Sequence, residues 1–99
     1  MIERIVRLTL DPNRLEEFLE LFWDSYALIL ERDGCESLRL LQNTRFPNQV
    51  TTHSVWQSED ALRAYRQSEL FTKTWALAKE MFAARAEATS YVVHTAASS

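Results

Sequence analysis

The sequence predicts an α+β domain with the element order β-α-β-β-α-β, the ferredoxin-like arrangement of an antiparallel four-stranded sheet with helices on one face. Two patterns lead to this fold. Apolar residues alternate along short segments, as in half-buried strands, and recur every three or four residues in the longer segments between them, as in amphipathic helices. Right-handed crossovers in each half then leave a gap that a strand of the other half fills.

The first half of the chain predicts one strand and one helix. Residues 2–10 alternate, with Val6, Leu8 and Leu10 on the core-facing side. The turn at residues 11–13 ends the strand, and Asn13 starts a helix that should run to about residue 33. Gly34 is expected to follow the helix in a positive-φ conformation.

The second half predicts a hairpin, a second helix and a last strand. Strands over residues 35–43 and 49–56 flank a turn that contains Pro47. Ser58 should cap the second helix, and Ser68 should restart or kink it. The alanine-rich segment 79–89 is expected to carry the helix toward its end, before a strand over residues 90–95. We therefore expect a single domain over residues 1–95 and a disordered tail over residues 96–99.

Composition excludes several classes of partner. The formal charge of −3 leaves no basic surface for nucleic acid. No apolar run has the length of a membrane span, and the N-terminus lacks a signal-peptide pattern. Cys35 is the only cysteine, so no internal disulfide can form, which fits a cytoplasmic protein. His53 and His94 are the only histidines and no ligand pair has helical spacing, so we predict no metal site.

The strands carry apolar residues on both faces, which predicts a homodimer. Ile5, Leu41, Val55 and Tyr91 lie opposite the core-facing series. Leaving such side chains in water forgoes roughly 1.5–3 kcal/mol each. We expect two sheets to pack face to face with two-fold symmetry. A monomer with an exposed apolar sheet face is the alternative.

Three motifs carry a resemblance to a known family. They are the Asp-Gly-Cys of residues 33–35, the Val-Trp-Gln-Ser-Glu of residues 55–59 and the Ser-Glu-Leu-Phe of residues 68–71. With the elements around them, they make residues 2–94 resemble the antibiotic biosynthesis monooxygenase family of dimeric α/β barrels. The resemblance implies a ligand cavity between helices and sheet. Some members oxidise phenolic or quinol-like aromatics with O2 and no metal or flavin, others degrade heme, and many have no assigned reaction.

Departures from the family pattern bear on heme. Tyr65 stands nine residues after Trp56, where relatives often have His. Trp75 stands four residues after Phe71, where heme-degrading relatives place a heme-ligating His, and Val6 replaces their strand Asn. The resemblance therefore disfavours heme degradation, and we predict no cofactor. Oxidation without a cofactor has no obligatory motif and stays open.

Candidate site residues fall into a base, a cation and a set of aromatics. His53 is the candidate catalytic base, because a histidine can titrate near neutral pH; a structural histidine bonded to nearby hydroxyls is the alternative. Arg39 can clamp a phenolate or carboxylate, or form an inter-subunit salt bridge. A ligand-binding aromatic pocket or ordinary core packing would account for Phe22, Tyr26, Trp56, Tyr65, Phe71 and Trp75.

Two functions follow from these expectations. The first is a cofactor-independent monooxygenase that acts with O2 on a small aromatic or quinol-type substrate. The second is a non-catalytic domain of the same fold that binds a small ligand or serves in assembly. In both, the partners are a second copy of the chain and a small aromatic ligand, with no nucleic acid or membrane.

Overall fold

A single antiparallel sheet organises residues 1–94, the part of the chain that the computed structural model describes. Its strands are β1 (Ile2–Thr9), β2 (Cys35–Gln42), β3 (Gln49–Trp56) and β4 (Glu87–Val92). Their order in the sheet is β2-β3-β1-β4. Each crossover thus skips one strand of the other half, and the predicted ferredoxin-like α+β fold is confirmed. The predicted tail, residues 96–99, lies outside the described part.

Three helices lie along one side of this sheet. They are α1 (Leu15–Leu30), preceded by a 3-10 turn at Pro12–Arg14, then α2 (Glu59–Arg66) and α3 (Glu69–Lys79). The register pairs Ile2 with Trp56 and Leu8 with Val50, so even-numbered residues of β1 and β3 share the helix-facing side. Val50 is 1% exposed and Trp56 0%, which places the core between this side and the helices. Within residues 1–94 no helix has the length and apolarity needed to cross a bilayer.

The connections around the helices confirm two expectations and correct a third. Gly34 has φ +82° after α1, as predicted. Ser68 divides the second helical segment, because its Oγ accepts from Phe71 N at 3.2 Å and donates to Tyr65 O at 2.6 Å. Asn13, however, does not cap α1: Asp11 caps the preceding 3-10 turn, where its Oδ1 accepts from Asn13 N at 2.9 Å, and α1 itself has no side-chain cap.

The segment after α3 differs most from expectation. The helix ends at Lys79, and β4 begins at Glu87, three residues before the predicted start. After two local bonds from Met81 N and Phe82 N, the backbone pairs with the end of β1, where Ala83 N donates to Thr9 O at 2.8 Å. Helix propensity in an alanine-rich segment is a weak preference that such tertiary pairing overrides.

Candidate functional site

The connection between α1 and β2 meets the corner between β3 and α2 at one end of the sheet. Gln57 N donates to Gly34 O at 2.8 Å, and Cys35 lies opposite Trp56 in the strand register. The next residue, Ser58, caps α2, because its Oγ accepts from Ala61 N at 3.1 Å. Two of the motifs from the sequence are therefore a single structural unit, which fixes where α2 leaves the sheet.

A cavity of about 280 Å³ lies between the helix-facing side of the sheet and the three helices. Side chains from all four strands line the sheet side of this cavity, and side chains from the three helices line much of the rest. Six aromatic residues line it, namely Phe18, Phe22, Trp56, Tyr65, Phe71 and Trp75. A concave, mostly apolar space with few polar groups is the usual form of a small-molecule site.

The aromatic rings on one wall pack in a continuous series. Trp56 and Tyr65 stack with ring centroids 5.0 Å apart and planes at 22°. Tyr65 meets Phe71 edge to face at 5.3 Å, and Phe71 stacks on Trp75 at 5.7 Å and 11°. Such contacts stabilise both the rings and their relative orientation. Because Trp56 is fully buried, the half-buried rings of Tyr65, Phe71 and Trp75 form the part of this wall that is open to the cavity.

The two serines of the cavity lining, Ser25 and Ser54, form hydrogen bonds within the protein. Trp56 Nε1 donates to Ser54 Oγ at 2.9 Å, and Ser25 Oγ donates to Leu21 O at 2.9 Å. Among the residues of the described chain, no buried side-chain nitrogen or oxygen lacks a hydrogen bond. The serines thus belong to the scaffold of the site, since their hydrogen-bonding capacity serves the protein itself.

The charged groups of the cavity are both cations. Arg4, on β1, and Arg66, the last residue of α2, line it, and the lining contains no Asp or Glu. Neither guanidinium lies within salt-bridge distance of a carboxylate in residues 1–94. Burial and then the charge of Arg66 lower the pKa of Arg4. The cavity therefore has a positive potential.

Tyr65 and Cys35 remain protonated near this site at neutral pH. Burial, followed by the neighbouring Cys35, raises the pKa of Tyr65 to about 12, against a smaller opposing effect of Arg32. Burial also raises the pKa of the Cys35 thiol. A thiol nucleophile needs its thiolate form, so Cys35 is a packing residue here.

The fold brings together most of the predicted ligand-binding residues. Phe22, Trp56, Tyr65, Phe71 and Trp75 all line the cavity. Tyr26 does not line it; its ring lies 5.8 Å from that of Phe22, one turn further along α1.

His53 and Arg39 lie across the sheet from the cavity. The register pairs His53 with Arg39 on β2 and with Ile5 on β1, and directly opposed residues share a face. On that outer face His53 Nε2 is 2.7 Å from Glu3 Oε1. The sheet thus separates these two residues from the aromatic group, and the catalytic role of His53 stays a prediction that this placement does not support. Arg4 and Arg66, which sequence analysis did not single out, are the charged groups at the cavity.

The fold and this cavity define a small α+β domain with a candidate ligand site that is aromatic and carries two arginines. The family model for antibiotic biosynthesis monooxygenases matches residues 1–77. The chain belongs to that family, as its sequence motifs predicted.

Two solved structures illustrate the similarity of the fold. SnoaB, a cofactor-independent oxygenase from Streptomyces nogalater, superimposes as a mutant with TM-score 0.85 and 18% identity, over 95% of this chain and 93% of its own. A protein from Nitrosomonas europaea, "Putative antibiotic biosynthesis monooxygenase", gives TM-score 0.89 and 14% identity over 96% and 100%. At these identities the likeness shows the fold.

One curated relative is described in terms of heme. The Natronomonas pharaonis "Putative heme-binding protein" is 29% identical over 77 residues, which are 78% of this chain and 13% of that protein. The cavity does not fit heme. Its lining contains no His, Cys or Met, and burial raises the pKa of its one phenol, Tyr65, to about 12, which opposes a tyrosinate ligand. Residues 1–94 also contain no cluster of three His, Cys, Asp or Glu able to hold a metal ion.

Proposed function

We propose that this protein is a cofactor-independent monooxygenase that oxidises a small aromatic or quinol-type molecule with O2. In the simplest such reaction a hydroxylated ring loses two hydrogens and gains one oxygen atom, and the second oxygen atom leaves as water. The ring supplies all four electrons that reduce O2. The protein then needs to hold the electron-rich anion of the substrate beside O2 and away from water.

The observation that carries this proposal is the aromatic cavity between sheet and helices. Six aromatic side chains surround about 280 Å³, close to the lower end of the roughly 300–1,000 Å³ of drug-sized ligand sites. A molecule of one to three fused rings matches this size and can contact the half-buried rings of Tyr65, Phe71 and Trp75. The two guanidinium groups favour the anionic form of a phenolic substrate, because a nearby opposite charge stabilises it.

The test is oxygen uptake with a panel of phenols and quinols, corrected for their spontaneous oxidation. Ala78 is 4% exposed and lines the cavity. Ala78→Leu should fill part of the cavity and abolish uptake, whereas Ala76→Leu, on the exposed side of the same helix, should leave it unchanged. Ala86→Leu provides a second filling variant outside α3, in case Ala78→Leu unfolds. Uptake at the blank rate across the panel would contradict the proposal.

One observation favours the second function, a non-catalytic ligand-binding domain. The lining contains no His, Asp or Glu that could accept a proton. If binding alone is the function, ring compounds will protect the protein against thermal unfolding while oxygen uptake stays at the blank rate. Protection that the Ala78→Leu variant loses would place that binding in the same cavity.

We also propose that two copies associate through the outer face of the sheet. Ile5, Leu41, Val55 and Tyr91 lie on this face, and Leu41 and Tyr91 are 41% and 51% exposed in the single chain. Tyr91→Asp should give a monomer in sedimentation analysis. Leu77→Asp is the control, because Leu77 is equally exposed at 51% but lies on α3. A wild-type monomer at micromolar concentration would contradict the association.

A further inference from the structure

We infer that the cavity is built for an aromatic carboxylate, with Arg4 and Arg66 as the residues that bind the carboxylate group. This inference rests on the proposed function, because it names the class of substrate that the same cavity takes. It also assigns a role to two side chains that neither the family motifs nor the aromatic wall explains.

Arg4 occupies the middle of the sheet on the cavity side. Its neighbours in register are Ser54 on β3 and Ser90 on β4, so no carboxylate lies directly across from it on either strand. Its Nη1 donates to Ser90 Oγ at 3.0 Å. A guanidinium group has five N–H donors, and this bond uses one of them. The remaining donors are available to a ligand in the cavity.

Arg66 brings a second guanidinium to the cavity from the end of α2. It follows Leu62 by four residues, so the two share one helix face, and both line the cavity. The preceding arginine of the helix, Arg63, lies outside the lining and pairs with Asp60 at 2.7 Å. A cation is favourable at a helix C-terminus, and this explains an arginine at position 66. It does not explain Arg4 on β1.

The two guanidinium groups repel each other in the absence of a ligand. Both line the same cavity, and the charge of Arg66 follows burial as a cause of the lowered pKa of Arg4. An anion bound with them offsets this repulsion and the cost of partial burial, because both terms disfavour the charged arginine. A bound carboxylate would therefore supply Arg4 and Arg66 with the negative charge that no carboxylate of residues 1–94 supplies.

A ring carboxylate fits this arrangement better than a neutral phenol or an inorganic anion. Planar guanidinium groups bind carboxylates through two parallel hydrogen bonds, which fixes the plane of the ligand. A carboxylate is also fully ionised at neutral pH, whereas a phenol must first lose its proton. The half-buried rings of Tyr65, Phe71 and Trp75 then contact the aromatic body. An inorganic anion would leave that surface unused.

The test compares isosteric probes that differ in charge. Binding of 2-naphthoate and of the neutral 2-naphthamide to the purified protein is measured by calorimetry, supported by quenching of tryptophan fluorescence. Charge-assisted hydrogen bonds predict that naphthoate binds about 10- to 100-fold more tightly. Raising the salt concentration should weaken naphthoate binding and leave naphthamide binding unchanged. The naphtholate of 2-naphthol, measured at high pH, tests whether any anionic oxygen suffices.

Variants assign the effect to the two arginines. Arg4→Met and Arg66→Met should each lower naphthoate affinity about 10-fold or more and change naphthamide affinity little. Arg4→Lys retains a charge and should recover part of the loss, which a purely structural role would not predict. Arg63→Met removes a charge from the same helix outside the cavity and should have no effect. Circular dichroism checks that each variant is folded.

The outcomes separate this inference from the proposed function. Equal affinities for naphthoate and naphthamide, or arginine variants that bind naphthoate like wild type, would overturn the carboxylate site even if phenols support oxygen uptake. Selective, arginine-dependent naphthoate binding without oxygen uptake by any hydroxynaphthoate would support the site and contradict the monooxygenase.

Discussion

Gly34→Ala tests whether the motifs of residues 33–35 and 55–59 form one structural unit at this end of the sheet. The backbone of Gly34 has φ +82°, and a Cβ added there would lie 2.5 Å from Ala61 Cβ in the first turn of α2. The left-handed conformation costs a residue with a side chain about 1–2 kcal/mol. Forcing α2 away from the sheet adds about 1–3 kcal/mol, the usual cost of overpacking. We expect a total loss of about 2–5 kcal/mol in the free energy of unfolding.

The double variant Gly34→Ala/Ala61→Gly separates these two costs. Removing the Ala61 side chain eliminates the 2.5 Å contact but leaves the φ penalty. Ala61→Gly by itself weakens the helix by up to about 1 kcal/mol. Urea unfolding of all four proteins gives the coupling energy between the two positions, which should be about 1–3 kcal/mol in favour of the double variant.

Two results would refute this reasoning. One is a Gly34→Ala protein within about 0.5 kcal/mol of wild type, the range expected of a neutral surface substitution. The other is a large loss with no coupling, which would mean that α2 does not pack where the Gln57 N to Gly34 O bond of 2.8 Å places it. Because α2 carries Tyr65 and Arg66, Gly34→Ala should also weaken ligand binding.

Three further predictions concern titration, capping and the outer face of the sheet. Burial raises the pKa of the Tyr65 phenol to about 12, above the value near 10 in the unfolded chain. Between pH 10 and 12 the unfolded state therefore loses the phenol proton first, and the free energy of unfolding should fall by up to about 2 kcal/mol. Tyr65→Phe should lessen that fall, and an unchanged pH profile would argue against burial of the phenol. Ser58→Ala and Ser68→Ala should each lower the free energy of unfolding by about 1 kcal/mol, measured by thermal melting, because each removes a bond to a first-turn N–H. His53→Ala should leave oxygen uptake within about twofold of wild type, since its Nε2 meets Glu3 across the sheet from the cavity; a loss exceeding tenfold in an intact dimer would restore it as a catalytic base.

The fold was predictable because its signals are local. The bounds of β3, Gln49–Trp56, agree with the sequence prediction, since alternation and turn residues mark both ends. The break at Ser68 was predictable for the same reason. The early end of α3 at Lys79 was not, because it depends on the bond between Ala83 and Thr9, which are distant in sequence.

The face on which each candidate residue lies could also have been predicted. Strand side chains alternate with a period of two, so burial of Trp56 assigns every even-numbered residue of β3 to the cavity side. His53 is odd-numbered and belongs with Val55 on the other side. Arg39 likewise lies between Leu38 and Leu40, which face the helices. A histidine and an arginine are chemically suited to a ligand site, but the alternation of strand side chains places His53 and Arg39 on the face away from the cavity.

The same parity marks Arg4 as the unusual residue of β1. It belongs to the core-facing series with Ile2, Val6 and Leu8, where an aliphatic side chain would pack without the desolvation cost of a charge. What sequence could not predict is that Arg66 arrives beside it, since this depends on the position of α2 over the sheet. One inward-facing arginine can be a packing exception whose stem covers apolar surface. Arg66, exposed at the end of α2, adds a second positive charge to a lining that has no carboxylate, and an anionic ring compound would match both this charge and the shape of the cavity.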